Sequence, residues 1–233
     1  MPRSARRTTA KAIKPKRPDG RTLRARPRVP GTPPRSGLRR QAILDAGALL
    51  MQQRGFAGTT VEDVTGQLDL TKAAFYYYVE NKEELLFQIS TQTLALADAS
   101  VSAIERSRTA PDRKLAEMID SFVRLVAERP AFFSVYFQEK GHLGADHLKA
   151  VTRKERKIVG ALERVLREGM AAGAFRTADP AVAAFGILGM CFWVYKWFRP
   201  EGRSTVDEVS ASFQALALRG VQPGTRPGTK LTN

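Results

Sequence analysis

The chain has 233 residues, 43% of them hydrophobic, which is enough to bury a sizeable core in one large domain or two small ones. Its single cysteine, Cys191, excludes an internal disulfide and fits a reducing cytoplasm. The net charge of +15 is concentrated at one end, because residues 1–40 hold 14 of the 38 Lys and Arg and one acidic residue. The remaining chain is therefore nearly neutral, and the basic character belongs to the N-terminal segment.

Residues 1–37 are predicted to form a disordered basic arm. They contain seven of the 13 prolines and almost no large apolar side chains, so burial cannot offset the entropy of ordering them. The proline density excludes the amphipathic helix of a transit peptide, and no apolar run typical of a secretory signal follows. Such a polycation most often binds phosphate, and a solubilising tail is the alternative. A second disordered tail is predicted at 221–233.

The rest of the chain is predicted to be all-α, with about nine helices. Thr60, Thr71 and Asn81 are candidate N-caps, while Gly55 and Gly220 are candidate stop signals. The predicted ranges are 38–54, 60–68, 71–78, 81–108, 112–129, a short helix after Pro130, 145–172, 179–198 and 206–219.

The longest apolar run, 180–195, is shorter than the roughly 20 residues that a membrane span requires, so we predict a buried helix and no membrane partner. Its aromatic residues are most simply core, but two further uses stay open. One face of the helix can pack against a second subunit, with Gly186 and Gly189 permitting close approach. Another face can line a cavity.

The two short helices 60–68 and 71–78 are predicted to form a helix-turn-helix. Phe75 and Val79 are four residues apart, so they lie on one helical face and pack with Leu70 onto the first helix. This placement turns the opposite face of the second helix outward, toward water or a partner.

That outward face carries Lys72, Ala73, Tyr76 and Tyr77, while Tyr78 should be partly buried. The pattern suits a helix in the major groove of DNA: a small residue permits close approach, and a lysine can donate to guanine O6 or N7. Tyrosine hydroxyls can donate to phosphate oxygens. The alternative is that the tyrosines merely cover an apolar seam.

Other chemistry has little support in the sequence. The chain has two histidines, and Glu139 and His142 form one Glu-x-x-His pattern with no second copy, so a loop between helices is favoured over a metal site. We find no glycine-rich phosphate loop and no nucleophile elbow, and expect neither enzymatic activity nor a cofactor. The basic run 153–157 indicates a solvated helix face, with an anionic ligand as the alternative.

The stretch "ILDAGALLMQQRGFAGTTVEDVTGQLDLTKAAFYYYVENKEELL", 43–86, resembles the tetracycline-repressor (TetR) family of transcription regulators. The resemblance implies an N-terminal three-helix DNA-binding domain at 38–85 and a larger helical effector-binding and dimerisation domain at 86–220. Four positions depart from the family, which usually has alanine at Leu68, glycine at Asp69, and a polar pair such as arginine and histidine at Tyr77 and Tyr78. The positions that match DNA-contacting residues of the family are Thr60, Thr71, Lys72, Ala73, Tyr76, Tyr77 and Lys82.

The stretch "FGILGMCFWVYKWFRPEGR", 185–203, resembles the C-terminal domain of TetR-type repressors that respond to acyl-coenzyme A thioesters. The resemblance implies an apolar tunnel, with basic residues such as Lys140, Arg153 or Lys157 near phosphates at its mouth. The candidate effector-binding residues are Phe133, Tyr136, Phe137, Met190, Trp193 and Trp197.

Together these features predict a homodimeric, ligand-responsive repressor, released from a palindromic operator in double-stranded DNA by a small hydrophobic effector such as an acyl-coenzyme A. It should be a cytoplasmic bacterial protein, associated with the nucleoid when bound. The alternative is an architectural DNA-binding protein whose basic arm provides most of the binding. Footprinting separates the two, because the regulator protects a discrete palindrome.

Overall fold

The computed structural model describes residues 35–176 and 179–222, and throughout these ranges the only regular secondary structure is helical. The all-α prediction is therefore confirmed. Most of the predicted arm and tail lie outside the described residues. The helices are α1 (Arg35–Arg54), α2 (Val61–Gln67), α3 (Lys72–Tyr76), α4 (Lys82–Glu105), α5 (Pro111–Glu128), α6 (Pro130–Glu139), α7 (Ala145–Ala171), α8 (Pro180–Phe192), α9 (Val194–Trp197) and α10 (Val206–Val221).

Local side-chain chemistry sets several helix boundaries as predicted. Thr60 accepts a hydrogen bond from the backbone of Asp63, which bonds back to Thr60 in a capping box. Thr71 and Asn81 cap α3 and α4 with one bond each, accepting from the backbone amide three residues on. Gly55 follows α1 with a φ of 73°, in the left-handed region that glycine adopts without strain.

Several boundaries differ from the prediction; helix α4, for example, ends at Glu105 and not at 108. Helix α1 begins at Arg35, three residues early, and α10 continues through Gly220 to Val221. Val221 is buried and its carbonyl accepts a hydrogen bond from the Arg176 amide at 2.5 Å, so tertiary contacts hold the last turn beyond the glycine. The predicted helix 179–198 is divided at Trp193 into α8 and α9.

One continuous cluster of buried apolar side chains joins helices α1 to α3 to the rest of the chain. Helix α4 runs through its middle, packing against α1, α5, α6 and α7, while α10 packs on α5. Fully buried Phe75 fixes α3, and Phe122 and Phe133 lie in the larger domain. Truncating such a phenylalanine to alanine costs about 3–5 kcal/mol in a core, so the position of α3 depends on this contact.

Helix α8 has two different faces. Ile187, Leu188 and Cys191 are buried, and burial raises the pKa of the Cys191 thiol to about 12. On the opposite face Val182 is 68% exposed and Phe185 63% exposed. The prediction of a buried helix is therefore right for one face and wrong for the other, since aromatic content alone does not reveal which face meets the core.

Among the described residues, the segment Pro180–Trp197 is long and apolar enough to cross a membrane by composition, with a mean hydropathy of 1.3 over 18 residues. Only a third of it is buried within the chain. The segment bends at Trp193 and packs along α5 and α7, as an element of a helical core does. Its exposed apolar face is not covered by any other part of the chain that the structure describes.

Candidate DNA-binding surface and effector cavity

Helices α2 and α3 form a compact pair joined by a tight turn. Val64, Phe75 and Val79 are buried between them and the neighbouring helices, as the spacing predicts. Asp69 has a φ of 50°, the left-handed conformation that the turn requires and that aspartate tolerates better than most residues. The second helix is therefore held by its apolar face, and its other face is presented outward.

The outward face of α3 contains the predicted DNA-contacting side chains. Lys72 and Ala73 are exposed, Tyr76 is half exposed, and Tyr77 is 79% exposed. Tyr78 is partly buried, and its ring meets the ring of Tyr77 edge-on at 4.9 Å. Thr60 and Thr71 are also exposed, at the starts of α2 and α3. The structure thus brings six of the seven predicted residues to the outer surface of this helix pair.

Lys72 has an acidic neighbour that sequence reasoning did not anticipate. Its ammonium group forms an ion pair with Glu62 of α2, and both side chains are more than half exposed. The hydrogen bond from Lys72 lowers the pKa of Glu62, and the same bond raises the pKa of Lys72. Lys72 is therefore charged and paired with a carboxylate at the surface.

Lys82, the seventh predicted residue, is half-buried at the start of α4. Its Nζ donates to the carbonyl of Phe56 at 2.8 Å and lies 4.4 Å from the centre of the Phe56 ring. Lys82 thus fixes the loop between α1 and α2, a role that the sequence did not reveal.

The same loop is fixed from the other side by the end of α6. The Phe56 amide donates to Glu139 Oε2 at 3.1 Å, and the ring of His142 stacks on Phe56 at 4.8 Å. Glu139 also lies 3.5 Å from His142. The Glu-x-x-His pattern therefore has a structural role: it joins the loop between α1 and α2 to the end of α6.

A second junction connects the start of α7 with the start of α4. His147 Nδ1 lies 2.9 Å from Glu83 and stacks on Phe87 at 4.0 Å, while its Nε2 lies 3.6 Å from Glu84. The amide of Gly144 donates to Glu83 at 2.9 Å and, with His147, lowers the pKa of that carboxyl. Both histidines of the chain thus lie where the two domains meet.

The larger domain contains a cavity of about 550 Å³, within the range that holds small-molecule ligands. Of the predicted effector residues, Tyr136, Phe137 and Trp193 line it. Phe133 is buried behind the wall, with its ring centre 5.8 Å from that of Phe192. Met190 and Trp197 do not line the cavity. The other lining residues are Leu94, Lys140, Glu155, Ile158, Val159, Phe185, Leu188, Gly189, Phe192 and Tyr195.

The cavity wall has one polar corner among apolar side chains. Glu155 Oε1 accepts hydrogen bonds from the Tyr136 hydroxyl and, at 2.8 Å, from Lys140 Nζ. Burial by itself would raise the pKa of Glu155, but these two bonds outweigh it and the pKa lies below its ordinary value. Burial and then Glu155 raise the pKa of Tyr136, which stays a neutral donor.

The basic residues expected at the mouth are distributed differently. Lys140 is in the wall, Lys157 pairs with Asp98 of α4 at 2.6 Å, and Arg153 is exposed on α7. The sequence identified the basic run but not its partners, because the acidic residues come from helices distant in sequence.

A helix-turn-helix with an exposed second helix, carried on a larger helical domain, defines a DNA-binding regulator. Residues 43–89 match the family described as bacterial regulatory proteins, tetR family, and residues 108–221 match the tetracyclin repressor-like C-terminal domain. The chain is 30% identical to the TetR family regulator PfmR from Thermus thermophilus, over 78% of this chain and 99% of that one, with a TM-score of 0.72. The chain belongs to the TetR family of transcription regulators.

Two further relatives have a known ligand or function. The structure of AibR in complex with isovaleryl coenzyme A and operator DNA is 29% identical, covers 76% of this chain and 97% of that chain, and has a TM-score of 0.70. The transcriptional repressor KstR2 of Rhodococcus jostii is 26% identical over 189 residues, 78% of this chain and 91% of that protein.

Proposed function

We propose that the protein is a homodimeric transcriptional repressor that leaves a palindromic operator when a hydrophobic effector, such as an acyl-coenzyme A, enters its cavity. One observation carries this proposal. Helix α6 lines the cavity through Tyr136 and Phe137 and, at its end, holds the loop at Phe56 through Glu139. A ligand that moves α6 therefore also moves the loop between α1 and α2, and with it the helix-turn-helix.

On the DNA side, α3 enters the major groove. Lys72 donates to a base edge and Ala73 permits close approach, while Tyr76, Tyr77 and Lys82 contact phosphates and the groove edge. Thr60 and Thr71 meet phosphates through the exposed starts of their helices. The exposure of these residues on one helix pair supports this arrangement.

The exposed apolar face of α8 supports a dimer. Val182, which is 68% exposed, and Gly186 lie four residues apart on this face, and neither lines the cavity. A Cβ added at Gly186 or Gly189 would meet no atom within 4 Å, so the face is open to a second backbone. Two recognition helices related by a twofold axis would read a palindrome.

The effector class follows from the cavity and from the relatives. The wall is mostly aromatic and aliphatic, which suits an acyl chain or another elongated apolar group. AibR was crystallised with isovaleryl coenzyme A and operator DNA, which supports an acyl-coenzyme A for this chain.

The test begins with operator DNA selected from a random pool, bound to the purified protein and followed by fluorescence anisotropy. Decanoate, coenzyme A and decanoyl-coenzyme A are then titrated. We expect release by the ester alone, abolished in Val159→Trp, which fills the cavity, but retained in Lys149→Trp, an exposed position on the same helix. If decanoyl-coenzyme A does not release the operator, the effector assignment is contradicted. If the protein covers DNA uniformly, its assignment as a sequence-specific repressor is contradicted.

A further inference from the structure

The polar corner of the cavity has an unused hydrogen-bond acceptor. Both bonds to Glu155, from Tyr136 and from Lys140, end on Oε1. Oε2 accepts no hydrogen bond from any residue in 35–176 or 179–222, yet Glu155 belongs to the cavity wall. The side chain is about one-quarter exposed, so a ligand in the cavity can reach it.

The charges at this corner limit what can bind there. Lys140 and Glu155 are the charged residues of the cavity lining, one positive and one negative, so the lining itself carries no net charge. An ionised carboxylate on the ligand would face the Glu155 carboxylate while losing its own hydration. An ester or ether could accept from Lys140 but would leave Oε2 without a donor.

We propose that the Glu155–Lys140 pair selects effectors whose apolar body carries a neutral group with both a donor and an acceptor, namely a hydroxyl or a secondary amide. The group donates to Glu155 Oε2 and accepts from Lys140, which has two donors beyond its bond to Oε1. This inference rests on the proposed function, because it assumes that the cavity is the effector site.

The two sources of such a group are distinguishable. A hydroxyl or amide can be part of the apolar body itself, or it can come from the amide N–H groups of a pantetheine arm in a coenzyme A ester. In both cases the chemistry at Oε2 is the same, and in both cases a free fatty acid is a poor ligand because its carboxylate has no donor at neutral pH.

Calorimetric titration of the full-length protein with a matched set of ligands tests the proposal. We expect 1-decanol and N-methyldecanamide to bind about tenfold more tightly than methyl decanoate, since a hydrogen bond to a charged group is worth that much or more. Decanoate should bind more weakly than the alcohol. Equal affinities for 1-decanol and methyl decanoate, or no binding of either ligand, would overturn the proposal.

Substitutions assign the preference to one oxygen. Glu155→Gln replaces Oε2 with an amide donor, so the tenfold preference for the alcohol should fall to about one. Glu163→Gln, on the same helix but paired with Arg167 outside the cavity, should leave it unchanged. If Glu155→Gln folds poorly, the ratio of the 1-decanol affinity to the methyl decanoate affinity in the wild-type protein still tests the proposal, because that comparison needs no variant.

The second arm uses decanoyl-coenzyme A with the same variants. If Glu155→Gln weakens the binding of both decanoyl-coenzyme A and 1-decanol, a pantetheine amide occupies the corner in the ester complex. If Glu155→Gln weakens the binding of 1-decanol alone, the corner takes a hydroxyl of the apolar body. If the ratio of the 1-decanol affinity to the methyl decanoate affinity is unchanged in Glu155→Gln, the inference is overturned. Operator release, measured separately by anisotropy, would still report on the proposed function.

Discussion

The backbone amide of Phe56 donates to the carboxylate of Glu139 across 83 positions of sequence, at 3.1 Å. Phe56 belongs to the loop between α1 and α2, and Glu139 is the last residue of α6, whose side chains line the cavity. Lys82 and His142 enclose the Phe56 ring from their own elements. This loop is therefore the place where a displacement of α6 would reach the helix-turn-helix.

Glu139→Ala should weaken the coupling between effector and operator. The Phe56 amide would lose its acceptor, so movement of α6 would be transmitted less well, and the effector-dependent change in operator affinity should shrink about tenfold. Anisotropy titrations with and without decanoyl-coenzyme A measure this change. Glu117→Ala, at an exposed position on α5, is the control, and an equal response in both variants would contradict the prediction.

Lys72→Ala and Lys82→Ala should affect DNA binding in different ways. Lys72 is exposed on the outer face of α3, so its loss should cost roughly tenfold in affinity and relax preference at one position of each half-site. Lys82→Ala should weaken binding to all sequences alike. Selection from a random DNA pool shows the difference, and a sequence-blind loss for both variants would remove Lys72 from base readout.

Val182→Asp should produce monomers with an intact fold. The position is exposed on the apolar face of α8 and lies outside the cavity lining, so a carboxylate there would be desolvated against a second subunit without disturbing the core. Sedimentation equilibrium should show a dimer dissociation constant raised at least about tenfold. Leu148→Asp, exposed on α7, should remain dimeric. Dimers of Val182→Asp at wild-type affinity would place the interface elsewhere.

Acid should remove a stabilising contact between α5 and α10. Burial alone would raise the pKa of Asp120, but hydrogen bonds from Arg124 and from Ser210, the latter at 2.7 Å, lower it below the ordinary value of 3.8. Because the pKa of Asp120 is lower in the folded state than in the unfolded state, the ionised carboxylate stabilises the fold at pH values above the unfolded-state pKa. This stabilisation is lost as the pH falls through the folded-state pKa.

Asp120→Asn should therefore be less stable than the wild type in urea at neutral pH, and the difference should vanish in strong acid. Glu117→Gln, exposed on the same helix, should show no such convergence. A difference that stays constant with pH would mean that the amide preserves the contact.

The sequence predicted the elements that depend on local chemistry. Thr60, Thr71 and Asn81 begin their helices because their side chains bond the backbone three residues on, and this pattern is visible without a structure. The α3 residues could be assigned to inner and outer faces because Phe75 and Val79 define the buried side.

Features that depend on distant partners could not be predicted. Trp197 resembles Trp193 in sequence, but only Trp193 lines the cavity, because the helix is interrupted at Trp193 and the two side chains no longer share one helical face. The contact of Glu139 with Phe56 and that of Lys140 with Glu155 join residues of different elements, and helical periodicity carries no information about such pairs.

Helix α3 has five residues, and Tyr77 directly after it is largely exposed. Substitutions at such surface positions usually change stability by less than about 0.5 kcal/mol. If the protein has the proposed function, mutations at Lys72, Ala73 and Tyr77 would alter the preferred operator while the fold and the cavity are retained. Duplicated copies of this gene could thus diverge toward new target promoters through very few substitutions and still respond to the same metabolite.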